Sequence, residues 1–270
     1  RSTETSIENH PGNAQTDSGS GEHSVIFEHV DFVYPDGEEA VLKDISFSAK
    51  SGETVAFIGS TGSGKSSLIQ LIPRFYDRAS GNIYIDGQKI EDLDINALRS
   101  KIGFVPQKAH LFSGTIEENI RFGKPDATMD EIIHAAKIAQ AYDFIMEKPH
   151  QFQEQIVEGA TNVSGGQKQR LSIARALIRK PEIYIYDDSF SALDFKTDAR
   201  LRKALKPEIK NAIVFLVAQR VSTILDADKI VVLDEGKIAG IGTHRELLAS
   251  CPIYYEIAAS QLSKEELTYA

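Results

Sequence analysis

The chain has 270 residues, 41% of them apolar and 26% charged, an ordinary globular composition that excludes disorder as the default. Thirty basic against 39 acidic side chains leave a net charge of −9, which opposes attachment to a nucleic-acid backbone and makes nucleic acid an unexpected partner. The longest apolar run, AIVFLVA at 212–218, falls short of the roughly 18 residues that span a bilayer, no secretion-signal pattern opens the chain, and the single Cys251 cannot form an intrachain disulfide, so the expected location is cytosolic.

Residues 1–24 carry almost nothing for a core among Ser, Thr, Asn and Gly, and read as a flexible linker. From residue 25 the pattern alternates with period two: VIFEHVDFVY, then AVLKDISFSAK after the Pro35-Asp36-Gly37 turn, then GNIYIDG at 81–87, which together predict an antiparallel sheet. A second kind of strand is apolar on both faces and bounded by Gly, Asp or Pro. TVAFIG, IYIYD, AIVFLVA and KIVVLD are of this kind and predict a buried parallel sheet. Helices are expected between them, at Lys65–Phe75, over 129–147, and in SGGQKQRLSIARALIRKP, where Ser164 is an N-cap and Pro181 marks the end. Strands alternating with helices imply an α/β core. One folded unit over 25–260 and a tail at 261–270 are expected.

Directly after TVAFI comes GSTGSGKSS, which fits GxxxxGK[ST]. Its residues are Gly59, Ser60, Thr61, Gly62, Ser63, Gly64, Lys65, Ser66 and Ser67. Glycines let successive N–H groups turn inward, Lys65 supplies a point charge to β and γ phosphates, and the Ser66 hydroxyl can ligate magnesium. Only a nucleotide's phosphates need all three together. Asp187, at the end of IYIYD, is the natural partner of that magnesium ion. A second anion site opens VSGGQKQRLSIARAL, where Ser164, Gly165, Gly166 and Gln167 start a helix whose free N–H groups and dipole favour negative charge.

This second stretch resembles the signature motif of ATP-binding cassette (ABC) proteins. With the phosphate loop, the Asp187 strand and the SALD turn at 191–194, the resemblance covers about residues 25–260. It implies a phosphate-loop NTPase fold of the RecA-like kind: a parallel-sheet core, an antiparallel β subdomain and a helical signature subdomain at about 108–178. It further implies a head-to-tail dimer of cassettes, in which each Mg-ATP lies between the phosphate loop of one subunit and the signature of the other. Carried over by position, Tyr34 stacks on adenine, Gln107 touches magnesium and links to membrane couplers, and Asp194 communicates between the sites. The segments VPQKAHLFSGTIEENI and QIVEGATNVSGGQ resemble the exporter branch, with Glu158 as the acidic residue of its coupling loop; that loop usually carries glycine where Val157 and Ala160 stand here. Transmembrane domains fused upstream of residue 1, at the cytoplasmic face of a membrane, are then expected.

Two positions depart from the family pattern. Asp188 stands where the family has a glutamate that polarises the attacking water, and Gln219 where it has a histidine on the γ phosphate. An aspartate is one methylene shorter, and a misplacement of about 1 Å can cost a hundredfold in rate. Glutamine donates a hydrogen bond but carries no imidazolium charge. Of the seven histidines none lies near residue 219 in sequence. The expectation is a chain whose own site, with Asp188, Gln219 and Lys65 as its catalytic positions, binds Mg-ATP and hydrolyses it weakly. Its signature would complete the active site of a different cassette that contributes glutamate and histidine. An active homodimeric ATPase and a non-hydrolysing regulatory module remain as alternatives at this point.

Overall fold

The computed structural model describes residues 23–263 and 267, so the linker expected at the N-terminus lies almost wholly outside the described residues. Strands β1 (Ser24–Phe32) and β2 (Leu42–Lys50) precede β3 (Thr54–Gly59), which runs through the glycine-rich turn into α1 (Lys65–Leu71). Next come β4 (Ser80–Ile85), β5 (Gln88–Lys89), α2 (Ile95–Ser100), β6 (Ile102–Val105), β7 (Gly114–Thr115), α3 (Ile116–Arg121), α4 (Met129–Ile138), α5 (Tyr142–Met146), β8 (Gln155–Ile156) and α6 (Gly165–Leu177). The remainder is β9 (Ile183–Asp187), α7 (Phe195–Glu208), β10 (Ile213–Val217), β11 (Lys229–Asp234), β12 (Lys237–Gly242), α8 (His244–Ser250) and α9 (Pro252–Gln261).

The two expected sheets are both present. The antiparallel sheet has the order β2-β1-β4-β5, and the central sheet β12-β11-β3-β10-β9-β6 is parallel apart from the antiparallel edge strand β12. Every residue of β9 and β10 is buried, as continuous apolar runs require when both faces are covered. Alternation divides them: Tyr184, Tyr186, Val214 and Leu216 face the core beneath the helices, while Ile183, Ile185, Ile213, Phe215 and Val217 face the antiparallel sheet.

An aromatic cluster joins the sheets. Phe47 of β2 lies 5.4 Å from Phe57 of β3 and 6.2 Å from Phe215 of β10, centroid to centroid. Phe215→Ala is expected to cost about 3–5 kcal/mol, because the cavity lies where neither sheet can close in. A shift of the urea midpoint without a change of slope would be the signature.

The expected helix over 129–147 is interrupted. Residues between α4 and α5 leave the helical path, with Gln140 at φ 58, and its carbonyl accepts a 2.6 Å hydrogen bond from Arg170 Nη1 of α6. The guanidinium of Arg170 also lies 4.7 Å over the Phe144 ring. A tertiary partner for that carbonyl replaces the helical one, and the apolar spacing carries no trace of it. Likewise α1 stops at Leu71, short of Phe75, where Pro73 and a left-handed Arg74 turn the chain.

Candidate functional site

The phosphate loop is held open by close backbone approaches. A Cβ at Gly59 would lie 2.0 Å from the Leu233 carbonyl of β11, and one at Gly64 (φ 100) 2.6 Å from Leu42 Cδ2 of β2. Gly62, at φ 83, has open space beside it. Lys65 Nζ donates to the Gly59 and Ser60 carbonyls at 2.8 and 2.7 Å and to Ser63 Oγ at 3.3 Å. Half-burial pushes the Lys65 ammonium below its ordinary pKa, opposed by the charges of Asp188 and Asp187.

Asp187 ends β9, one strand removed from β3, and accepts from Ser66 Oγ at 2.9 Å. Burial raises its pKa, with the Ser66 hydrogen bond acting against that. A hydroxyl and a carboxylate at this separation are the hard oxygen donors that magnesium prefers, and the residues therefore fit that ion. The open turn at Gly62 with Lys65 at its base fits polyphosphate.

Asp188 and Gln219 converge although 31 residues apart. Asp188, in the left-handed region at φ 48 and 6% exposed, accepts from Gln219 Nε2 at 2.7 Å and from Gln107 Nε2 at 3.1 Å, both on Oδ2. Burial raises its pKa and the Gln107 bond is the largest opposing influence. Gln107 thus meets Asp188 here and not the Ser66–Asp187 pair. Among the described residues no histidine lines the small recess where Asp188, Ser191, Gln219 and Arg220 meet. Gln261, at the end of α9, clasps this loop: its Nε2 donates to the Gln219 carbonyl at 2.9 Å, and its Oε1 accepts from Val221 N at 2.8 Å. Sequence reading placed Gln261 in a tail and missed that clasp.

Tyr34 packs edge-on against Phe32 and Tyr76, at 4.7 and 5.1 Å, and its hydroxyl meets Ser67 Oγ at 2.8 Å. The ring is fixed beside α1 and is only partly buried.

At the signature, Ser164 Oγ accepts from Gln167 N at 3.2 Å while Gln167 Oε1 accepts from Ser164 N at 3.0 Å, a reciprocal capping box. Ser164 and Gly165 are exposed, and a Cβ on Gly165 would meet nothing within 4 Å. Asp194 caps α7 by accepting from Thr197 N at 2.9 Å, which holds its carboxyl below the usual range. Its turn abuts the signature, since a Cβ on Gly166 would lie 3.2 Å from the Ala192 carbonyl. Glu158 is exposed on a short turn tied to α6 by Lys168 Nζ, 3.2 Å from the Gly159 carbonyl. Of the two positions where the related loop has glycine, Ala160 holds φ 53 whereas Val157, at φ −76, needs no glycine.

A glycine-rich turn from a parallel strand into a helix, with lysine and serine at the helix start and a carboxylate from a nearby strand, defines a phosphate-loop nucleotide-binding protein. The family model described as "ABC transporter" matches residues 42–191. The chain belongs to the ABC transporter family, as its ATPase domain. An uncharacterized ABC transporter ATP-binding protein, YfiB of Bacillus subtilis (strain 168), is 47% identical over 241 residues, covering 89% of this chain and 42% of that protein. A Staphylococcus aureus (strain NCTC 8325) protein that carries a multidrug export ATP-binding/permease name is 49% identical over 237 residues, 88% of this chain and 41% of that one. The chain therefore spans about two fifths of the length of these relatives. In three dimensions it is similar to a bacterial Atm1-family ABC exporter with ATP bound, at a TM-score of 0.87 and 38% identity, over 90% of this chain and 43% of the other. No helix among the described residues is long and apolar enough to cross a membrane.

Proposed function

We propose that the chain is the nucleotide-binding domain of an ABC exporter whose own phosphate-loop site binds Mg-ATP but hydrolyses it weakly, and whose signature completes the hydrolysing site of a second, different cassette. Lys65 and the loop N–H groups hold the phosphates, Ser66 and Asp187 hold magnesium, and Tyr34 meets the adenine. Magnesium, when bound, neutralises phosphate charge. The transported substrate is set by transmembrane domains at whose cytoplasmic face the cassette works. An exposed aromatic pair supports such docking: Phe112 and Phe122 are 49% and 65% exposed and flank Arg175.

The observation that carries the weak-site reading is the double engagement of Asp188. A carboxylate that is to order and deprotonate water needs a free, basic oxygen at the right reach. One of the two carboxylate oxygens of Asp188, Oδ2, is shared by two amides that hold it against Gln107 and Gln219, and its side chain is one methylene short of the family's glutamate. Gln219 directs one of its two amide N–H donors at that same carboxylate. The two departures act as one unit, since each satisfies the other.

A double-mutant cycle tests this in the assembled dimer with the partner's own base disabled. Asp188→Glu alone is expected to raise the ATPase rate less than about threefold, and Gln219→His alone no more, while the pair exceeds the product of the two by about tenfold. Strictly multiplicative rates would overturn the coupling.

A further inference from the structure

Gln107 and Gln219 reach the same oxygen of Asp188 by routes of unequal support. Asp188 N donates to the Val217 carbonyl at 3.0 Å, and Ala218 N to the Phe57 carbonyl at 3.1 Å, so the β9–β10–β3 ladder fixes both ends of the Gln219–Asp188 bond. The Gln261 clasp adds to that. Gln107 comes instead from β6, a four-residue strand at the edge of the central sheet, whose ladder with β9 ends at the Val105–Tyr186 pair. Its side chain therefore starts two residues beyond the last support that the ladder gives.

Two buried side chains hold this free end. Ser189 Oγ donates to the Val105 carbonyl at 2.8 Å, and Gln169 Nε2 of α6 donates to the Pro106 carbonyl at 2.9 Å. Proline has no N–H, so its carbonyl is the one backbone polar group by which that residue can be held. Gln169 is 1% exposed on a helix whose other buried residues include Leu171, Ile173 and Ala174, surroundings in which an amide needs a hydrogen-bond partner. The bond it makes acts one residue before Gln107.

We propose that Gln169 is a positioning residue for the nucleotide site: by holding the Pro106 carbonyl it sets the reach of the Gln107 amide to Asp188 Oδ2. Helix α6 then serves two sites, since it opens at the signature residues Ser164 and Gly165 and carries Gln169 one turn further on. The contact rests on side-chain geometry alone, and its consequence for ATP rests on the nucleotide-site reading given above.

Side-chain amide resonances of the full chain, followed by NMR through a pH titration, test the contact. In the wild type the Gln107 and Gln219 resonances should both shift as Asp188 ionises, and both shifts should vanish in Asp188→Asn. Gln169→Met keeps the length of the side chain and removes its donor. It should abolish the Gln107 shift and leave that of Gln219, with the midpoint moved to higher pH, because a donor to a carboxylate favours the ionised form and its loss raises the pKa. Lys65, Asp187 and Arg220, the charged groups that act on Asp188, are unaltered in the variant. Gln169→Leu is read in the same way should the methionine variant fail to fold. In Mg-ATP titrations Gln169→Met and Gln107→Ala should each weaken affinity about threefold, and the pair no more than either alone. A Gln107 shift that survives in the folded variant, or a Gln219 midpoint that stays or falls, would overturn the positioning role. Weakening that multiplies in the pair would overturn the route through Gln107. Absence of Mg-ATP binding by the wild type would overturn the nucleotide site itself, while the resonances still decide the contact.

Discussion

Ser164→Arg is expected to reduce steady-state phosphate release by the proposed heterodimer at least about a hundredfold, the range lost when a donor aimed at developing phosphate or oxyanion charge is removed. On the proposed asymmetric reading, Asp188→Asn is expected to change the same rate less than about threefold, because a weakly hydrolysing site has little turnover to lose. The contrast follows from what surrounds each residue. Ser164 and Gly165 are exposed at the start of α6 with space in front of them, the geometry of a helix terminus waiting for an anion from another chain. Arginine there puts bulk into that space and removes a cap worth about 1 kcal/mol, so melting curves of the variant must accompany the rate. If Asp188→Asn proves the more damaging change, the chain hydrolyses ATP with an aspartate base and the asymmetric reading fails.

Lys65→Ala should weaken Mg-ATP binding about a hundredfold, equivalent to one or two charge-assisted hydrogen bonds at about 1.5–3 kcal/mol each. The effect on folding should be small. The ammonium is satisfied by the Gly59 and Ser60 carbonyls, yet it is half-buried and its pKa is depressed, so the bonds gained are offset by desolvation. Equilibrium titration with a fluorescent ATP analogue, alongside a urea transition, separates the two. Unchanged affinity would remove the phosphate-loop assignment; affinity lost together with a large fall in stability would mean that the loop had collapsed.

The phosphate loop and the signature were legible in the sequence because their geometry is local. Gly62 and Gly64 hold φ 83 and 100, a backbone conformation that glycine takes without strain, and the Ser164–Gln167 box closes over three residues. The four doubly apolar strands were legible for a related reason, since burial on both faces leaves no alternation. Strands β6 and β12 were not read. The first is four residues long, and the second, KIAGIG, is an edge strand whose burial never becomes complete. The departures at Asp188 and Gln219 were visible as letters, but their mutual hydrogen bond was not, because β9 and β10 bring them together only when the sheet forms. Gln107 joins from 81 residues away by the same route.

The clasp by Gln261 has a practical reach. Both sides of the loop that carries Gln219 are fastened to a side chain in the last turn of α9, beyond every motif that identifies the family. A fragment trimmed at Ser260 would retain each of those motifs, and would pass any inspection based on them, while the loop beside Asp188 lost its fastening. Where the C-terminal boundary is drawn therefore decides which enzyme is assayed.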